Sequence, residues 1–446
     1  MVGLFKHKLF ISASLLIVLQ QVAVAFSTYI IATAGIAAGR GDISAVINDI
    51  VIFFLAILVA YVLGSCALFL ESRLTNELWE SYVSQLVEDI SEKISFATLK
   101  NKQMTISWIG GEALSTFENT CFFVIEFLSI YCNILFNIIA FYLTLGKDIA
   151  LSMLVAIFVS FVFIMIFKTK IKNLANNIQD KKLNALTYMN LLWDSSFFGN
   201  INLKTTSKLT AKKKMDAFFN DNVKYAMVEQ VIACLPLLIA IPVVIVAAYY
   251  SIINNFVVVS ALVATLPRSL QIFQNVHTAG VYNSKVALLW KKLKNLKNFP
   301  YSLECLDLEN QIKYHKIRIE LIAAGECKEI DFSRFREQLF ISGHMKGRYL
   351  ITGENGSGKS SLLKLVKSSI KDSILIAPGV GFIEDVNGST GEQQMQQINF
   401  AVAQNIKLLL LDEWDANLDK ANVQIINEII QDYAERILIL EVRHSR

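Results

Sequence analysis

Long apolar runs separated by polar connections dominate the N-terminal part of the chain. A helix needs roughly 20 mostly apolar residues to cross the hydrocarbon core of a bilayer. Six runs are close to that length or longer, so the pattern predicts six membrane-spanning α-helices. The predicted spans are Leu9–Ala38, Ile43–Leu70, Thr120–Leu145, Ile149–Phe167, Val228–Ile253 and Phe256–Val276.

The pattern changes from about Lys313 onward, where short apolar stretches alternate with polar loops and amphipathic segments. That alternation is typical of an α/β domain with a buried sheet. We therefore predict a transmembrane domain over residues 1–290, a linker over residues 291–312, and a compact α/β domain over residues 313–446.

Two of the connections between the predicted spans are long and rich in lysine, whereas the others have only a few residues. The long ones are Glu71–Asn119 and Lys168–Gln230. Lysine and arginine concentrate in the cytoplasmic loops of membrane proteins. Both long connections are therefore expected in the cytoplasm, and with them both chain termini and the α/β domain.

Apolar residues in the first long connection recur at helical spacing, namely Trp79, Val83, Leu86 and Ile90. This spacing predicts that the membrane helices continue well into the cytoplasm. Amphipathic helices lying on the membrane surface are the alternative. Continuation is favoured because both long connections have this character and no proline occurs before Pro236.

The N-terminus also has features of a secretory signal. Lys6 and Lys8 precede an apolar run, and Ala23–Ala25 has the small residues of a cleavage site. The apolar run continues to Ala38, however, which is longer than the apolar region of a signal. A first transmembrane helix is the favoured interpretation.

The composition agrees with a membrane protein. Hydrophobic residues make up 54% of the chain and charged residues 18%, which is unlike a soluble globular protein. The lysine-rich connections explain the net charge of +4, and no aromatic residues are interleaved with them, so no nucleic-acid partner is expected. The six cysteines lack the spacing of a metal site or a disulfide framework.

Residues Gly353–Ser360 fit the pattern G-x-x-x-x-G-K-S of a phosphate-binding P-loop. Arg348–Thr352 before it predicts a strand and Ser361–Val366 after it predicts a helix, which is the context that the motif requires. Backbone N–H groups of such a loop and the N-terminus of its helix bind phosphates. The predicted nucleotide-binding residues here are Gly353, Glu354, Asn355, Gly356, Ser357, Gly358, Lys359, Ser360 and Ser361.

Lys359 is expected to reach the β- and γ-phosphates of the nucleotide, and the Ser360 hydroxyl to ligate Mg²⁺. A second element lies at Leu408–Glu413, where leucines predict a buried strand that ends in two carboxylates. Asp412 is expected to hold Mg²⁺, and Glu413 to polarise the attacking water. Together these residues predict a nucleotide hydrolase.

Three further motifs indicate the class of nucleotide-binding domain. Ser389–Gln394 resembles the signature sequence of ABC transporters, with Thr390 in place of its first glycine. Leu418–Asp419 resembles the D-loop of that family, and His444 after an apolar strand resembles its switch histidine. The chain therefore resembles an ABC transporter of the exporter type, a half-transporter with a six-span α-helical domain and a C-terminal α/β P-loop NTPase domain. The resemblance is specific over Gly353–Arg446 and rests on the helix layout elsewhere.

The resemblance implies ATP and Mg²⁺ as cofactors and a dimer with two nucleotides between its subunits. Ser389, Gly391 and Glu392 of one subunit would then contact the nucleotide on the P-loop of the other. His444 would contact the γ-phosphate, although an ordinary histidine near the end of the chain is the alternative. The catalytic residues that the resemblance implies are Lys359, Glu413 and His444.

The chain departs from the family's pattern between Lys359 and Ser389, where it is unusually short. The helical subdomain that usually lies there is expected to be almost absent. Gly379 stands where the family usually has a glutamine that helps to position Mg²⁺ and relays motion.

Two more departures concern the nucleotide. Trp414-Asp415 replaces the proline–threonine pair that commonly follows the acidic residues. The aromatic residue that stacks on adenine has no convincing spacing; the candidates are Phe332, Phe335 and Tyr314, with Phe332 favoured.

Two charged residues lie within predicted spans, Glu126 in the third and Arg268 in the sixth. Charges at membrane depth are costly and usually face a cavity or one another, so they could line a translocation path. Alternatively, Glu126 lies near the cytoplasmic mouth, and Pro267 beside Arg268 only kinks its helix. The sequence leaves both interpretations open.

We therefore expect an ATP-driven exporter of a small peptide, lipid or hydrophobic compound. It would be a multi-pass protein of the plasma membrane (the bacterial inner membrane), in contact with lipids, with its transported substrate and with a second half-transporter. A homodimer is favoured over a heterodimer. The alternative is a nucleotide-binding membrane regulator with impaired hydrolysis and no transport, which the shortened domain motivates and which Glu413 and His444 argue against.

Overall fold

The computed structural model describes residues 2–254, 257–323, 326–341, 346–383, 390–416 and 418–443. The chain divides into two compact units, one of Met1–Val83 with Trp108–Phe299 and one of Ser84–Ser107 with Pro300–Arg446. The boundaries predicted at residues 290 and 312 stay predictions. Residues 84–107, which follow the second predicted span, pack with the C-terminal unit.

The first unit is built from long α-helices, as the apolar runs predict. Its helices are α1 (Val2–Lys6), α2 (Lys8–Arg40), α3 (Ile43–Ser91, whose last turns enter the other unit), α5 (Leu114–Leu145), α6 (Lys147–Phe197), α7 (Ile201–Asn254) and α8 (Val257–Asn298). The helix α4 (Leu99–Ser107) belongs to the second unit, and a π-helical stretch, Trp108–Ala113, joins it to α5.

Three helical stretches are long and apolar enough to cross a membrane: Lys8–Arg40, Ile43–Ser91 and Leu99–Leu145. They contain the first three predicted spans. The other three predicted spans fall in α6, α7 and α8, which do not meet that criterion over their described residues. A count of six spans therefore stays a prediction, whereas a membrane protein is supported.

The helices also continue far beyond their apolar runs. α3, α6 and α7 have 49, 51 and 54 residues. At 1.5 Å per residue such helices are on the order of 75 Å long, more than twice the thickness of the hydrocarbon core. α3, α6 and α7 therefore extend beyond their apolar runs, as the spacing in the long connections predicts, and the first connection also contains the separate helix α4.

Two kinds of contact hold the first unit together. Ile130, Ile134 and Ile138 recur every four residues on α5 and pack against Ile272 and Val276 of α8. A ladder of buried amide and hydroxyl side chains joins α2, α5 and α8 within the same unit. Its hydrogen bonds are Asn133 Nδ2 to Gln21 Oε1 at 2.7 Å, Asn275 Nδ2 to Asn133 Oδ1 at 2.7 Å, and Thr28 Oγ1 to Asn137 Oδ1 at 2.6 Å. Such bonds satisfy polar groups among apolar helices.

The second unit contains a mixed sheet of six strands in the order β2-β1-β3-β6-β5-β4. β1 pairs antiparallel with its neighbours β2 and β3. The other three pairs, β3 with β6, β6 with β5 and β5 with β4, are parallel. The strands are β1 (Ile317–Ala323), β2 (Glu326–Ile330), β3 (Gly347–Gly353), β4 (Ser373–Ile376), β5 (Leu408–Asp412) and β6 (Leu438–Val442). The helices are α9 (Leu308–Gln311), α10 (Phe332–Ile341), α11 (Lys359–Ser369), α12 (Thr390–Ala403) and α13 (Lys420–Ala434).

Helices cover both faces of this sheet, which explains the continuous run of leucines in β5. Leu408 and Leu410 join one core with α10 and α11, and Leu409 and Leu411 join the other core with α12 and α13. Successive side chains of a strand point to opposite faces, so a strand buried on both sides is apolar throughout. β5 therefore delivers Asp412 to the carboxyl edge of the parallel strands.

Candidate functional site

The loop between β3 and α11 has the strand–loop–helix geometry that its sequence predicts. Gly358 precedes α11 with φ 91°, a left-handed backbone that glycine adopts without strain. A Cβ atom at Gly358 would also collide with the carbonyl oxygen of Gln311. The loop thus returns tightly, and α11 directs its positive N-terminal end at it.

Lys359 and Ser360 are the first two residues of α11 and directly follow this loop. Lys359 Nζ donates hydrogen bonds to the carbonyl oxygens of Gly353 at 2.7 Å and Glu354 at 3.2 Å. Ser360 Oγ donates to Asp412 Oδ1 at 3.0 Å. The fold therefore brings the ends of β3 and β5 together at one place.

Asp412 is 6% exposed, and its environment changes its titration. Burial raises the pKa of its carboxyl group, the hydrogen bond from Ser360 opposes this, and the neighbouring Glu413 adds to the rise. A hydroxyl and a carboxylate oxygen at this separation are the hard donors that Mg²⁺ prefers. Ser360 and Asp412 together fit a Mg²⁺ ion.

Glu413 has φ 47°, a left-handed conformation that is uncommon for a residue with a long side chain. Its N–H donates to the carbonyl oxygen of Val442 at 2.8 Å, which ties it to the end of β6. Backbone strain of this kind occurs often at functional sites. The neighbouring strand holds Glu413 at the edge of the sheet.

A cavity of about 920 Å³ contains most of these groups. The predicted site residues that line it are Gly353, Glu354, Asn355, Gly356, Gly358, Lys359, Ser360, Ser361 and Glu413. Ser357 does not line it; the side chain is 1% exposed, and its Oγ has no hydrogen-bond partner. The site can thus accept a polar ligand of nucleotide size, with cationic, hydroxyl and carboxylate groups at one end.

Two of the predicted signature residues, Gly391 and Glu392, do not reach this cavity. Gly391 and Glu392 lie in the first turn of α12 and are absent from the residues that line the cavity. Gly391 is packed against α13, since an added Cβ atom would lie 2.6 Å from the Asn422 side chain. Ser389 and His444 lie outside the described residues.

Several residues that the sequence did not single out also line the cavity, namely His315, Lys316, Arg318, Glu320 and Arg443. The only signals in the sequence were neighbouring candidates: His444 directly follows Arg443, and Tyr314 directly precedes His315. Among the adenine candidates, Phe335 is 3% exposed in the sheet core and Phe332 packs against the same core. Neither of them is among the residues that line the cavity, nor is Tyr314, so the adenine-stacking residue stays a prediction.

The departures between Lys359 and Ser389 have structural counterparts. Among the described residues between β4 and α12, residues 377–383, no helix occurs. Gly379 has φ 78°, so a glutamine there would adopt a left-handed backbone. Lys102 of α4 donates from Nζ to the carbonyl oxygen of Gly379 at 3.2 Å. A lysine from the connection after α3 thus contacts this position.

Within the helical unit, Arg268 is bonded to neutral groups. It donates to Gln271 Oε1 at 2.8 Å and to Ser27 Oγ at 2.9 Å, and it lies 5.7 Å from the centre of the Phe53 ring. Glu126 is half-buried, and no ion pair joins it to Arg268 in the described part of the chain. The two charges predicted within spans are therefore not partners.

No protein-family model and no curated protein matches the sequence. The structure is similar to that of a bacterial Atm1-family ABC exporter with ATP bound. The TM-score is 0.57 and the sequence identity 14%, over 98% of this chain and 92% of the other. At this identity the likeness shows the fold alone, and that fold is the one of an ABC exporter.

Proposed function

From a fold similar to that of ABC exporters, we propose that the protein is an ATP-driven membrane exporter that works as a dimer. The observation that carries the proposal is the cavity at the loop before α11, where Lys359, Ser360 and Glu413 meet and Asp412 bonds to Ser360. These are the groups that ATP hydrolysis requires.

Each group has a distinct role in the proposed hydrolysis. The N–H groups of the loop and Lys359 bind the β- and γ-phosphates, and Ser360 and Asp412 hold Mg²⁺. Bound Mg²⁺ neutralises charge on the phosphate oxygens. Glu413 accepts a proton from the attacking water, so its carboxylate acts as the general base.

A dimer is supported by the location of the signature residues. Gly391 and Glu392 do not line the cavity of their own chain, and in the proposed dimer they contact a nucleotide bound by the second subunit. Ser389 would act with them, and His444 would contact the γ-phosphate. A homodimer is favoured, because the chain itself supplies both the loop and the signature.

Residues 84–107 support a proposed route of coupling to the membrane helices. This segment packs with the sheet unit and continues in sequence into α3 on one side and towards α5 on the other. Lys364 of α11 donates from Nζ to the carbonyl oxygen of Ala97 at 3.0 Å. Since α11 begins at Lys359, a change at the phosphates reaches the segment through one helix, without a helical subdomain.

The cargo is proposed only as a class. Three membrane-length apolar helices support a multi-pass membrane protein, which we place in the plasma membrane in contact with lipids. Small peptides, lipids and hydrophobic compounds remain the proposed substrates, on the likeness of fold alone.

A membrane regulator without transport is the second candidate. Gly379 with its left-handed backbone and the absence of a helix over residues 377–383 favour it, because the usual relay from the nucleotide is missing. Glu413 at the cavity argues for hydrolysis.

ATP hydrolysis and transport by the protein in lipid vesicles test the proposal. We expect wild type to hydrolyse ATP, Glu413→Gln to bind ATP without hydrolysing it, and Lys359→Ala to bind little nucleotide. Lys367→Ala is the matched control, because Lys367 lies on α11 but does not line the cavity. Equal, near-zero rates in wild type and Glu413→Gln would favour the regulator. Loading the vesicles with peptide or with fluorescent lipid then distinguishes the cargo classes.

A further inference from the structure

A buried cluster of charged and polar side chains lies beside the nucleotide cavity. We call it the Arg443 cluster; it consists of Arg348, Trp414, Asn427, Glu441 and Arg443. Its centre is the Glu441 carboxylate, which is fully buried. Glu441 accepts hydrogen bonds from Arg348 Nε at 2.9 Å and NH2 at 3.0 Å, from Trp414 Nε1 at 2.9 Å, and from Arg443 NH2 at 3.1 Å.

The charges of this cluster do not balance, because two guanidinium groups share one carboxylate. Arg348 is 1% exposed and holds Glu441 with two nitrogens, so this pair satisfies itself. Arg443 makes only one contact to Glu441, and its side chain is 24% exposed. The surplus positive charge therefore resides on Arg443, which lines the cavity.

The cluster also fixes the position of the Arg443 guanidinium group. Its NH2 donates to Asn427 Oδ1 at 2.7 Å, and the group lies 5.4 Å from the centre of the Trp414 ring. Its Nε is buried and has no hydrogen-bond partner. Since Trp414 follows Glu413 directly, and Glu413 is bonded to the end of β6, Arg443 and Glu413 emerge side by side at the same edge of the sheet.

We propose that Arg443 binds the terminal phosphate of the bound nucleoside triphosphate and so makes the site prefer ATP to ADP. A guanidinium group that carries a surplus charge at the cavity matches a phosphate, which it binds through charge-assisted hydrogen bonds. ADP lacks that phosphate, so the contribution of Arg443 falls on ATP alone. The inference rests on the proposed nucleotide site and adds to it a cationic contact besides Lys359.

Affinities of the full-length protein for ATP and for ADP test this role, measured by displacement of a fluorescent nucleotide. We expect Arg443→Gln to weaken ATP binding about tenfold and ADP binding by less than about twofold, since a charge-assisted contact to the third phosphate is lost. Arg443→Lys should recover part of the difference, because it keeps the charge but loses the fork. Arg318→Gln is the matched control: Arg318 lines the same cavity, and its side chain is 72% exposed.

A purely structural role for Arg443 predicts a different result. In that case Arg443→Gln would have a lower thermal unfolding midpoint than wild type but the same ratio of ATP to ADP affinity. This result would overturn the inference. An equal loss in Arg318→Gln overturns it too, because any cavity arginine would then serve. If Arg443→Gln does not fold, Arg443→Lys decides, and an unchanged ratio there contradicts the role. Wild type that binds neither nucleotide would instead refute the proposed function itself.

Discussion

At the scale of single residues, backbone conformation decides which residue types fit at Gly358 of the phosphate loop. Gly358 combines a left-handed backbone with close contact to Gln311, so no other residue fits there without displacing the chain. Glu413 is the opposite case, since a long acidic residue is held in a left-handed conformation by its bond to Val442. At Glu413 the site therefore tolerates strain in order to place a carboxylate.

Gly358→Ala should abolish nucleotide binding, because the added methyl group forces the loop away from its shape. Strain in a left-handed backbone alone costs alanine about 1–2 kcal/mol, and the collision adds to that. Gly41→Ala is the control: Gly41 has φ 80°, but no atom lies within 4 Å of an added Cβ. ATP binding and the thermal unfolding midpoint are the measurements. Unchanged ATP binding in Gly358→Ala would contradict the described loop geometry.

At the scale of elements, α4 and the residues before it depend on contacts far away in the sequence. Asn101 is 2% exposed and donates from Nδ2 to the carbonyl oxygens of Phe96 and Glu304, each at 2.9 Å. The Glu304 N–H donates back to Asn101 Oδ1 at 3.2 Å. One amide side chain therefore joins the connection after α3 to the start of the C-terminal part of the chain.

Asn101→Ala should destabilise the sheet unit by about 1–3 kcal/mol, since it leaves buried backbone groups without partners. Lys100→Ala is the control, because Lys100 forms an exposed ion pair with the same Glu304 and such pairs contribute about 0–1 kcal/mol. The thermal unfolding midpoint measures stability, and ATP hydrolysed per transported molecule measures coupling. We expect Asn101→Ala to hydrolyse ATP with less transport. Similar effects of the two variants would argue against α4 as the coupling element.

At the scale of the whole molecule, one chain holds both the phosphate loop and the signature, but the described signature residues Gly391 and Glu392 do not line the cavity. Complete sites would then form only where the loop of one subunit meets the signature of another. Two inactive variants with defects in different halves of the site should therefore complement each other in a mixed dimer.

Coexpression of Lys359→Ala with Ser389→Arg tests this arrangement. In a mixed dimer one site receives both defects and the other receives none, so ATP hydrolysis should return although each variant alone is inactive. Two copies of the same variant, purified under the same conditions, are the controls. If each chain completed its own site, the mixture would stay inactive, and the proposed dimer would be wrong.

Much of the site could be predicted because its parts are local in sequence. Lys359 and Ser360 follow a strand and a glycine-rich loop, and Asp412 and Glu413 end a run of leucines, so spacing alone indicates their chemistry. His315 was missed because no motif in the sequence includes it. The adenine-stacking residue could not be predicted from spacing; Phe335 of α10 is buried in the sheet core, and Phe332 packs against the same core.

The helices, the phosphate loop and the acidic strand end could be predicted from the chain, since apolar run length and short-range spacing each lie within one stretch of it. The three-dimensional fold was needed to show that residues 84–107 join the sheet unit, and that Arg348, Trp414 and Arg443 surround Glu441. Parallel strands are joined by long crossovers, so neighbours in the sheet lie far apart in sequence. The charges beside the cavity belong to such distant neighbours, so no local sequence pattern predicts how they balance.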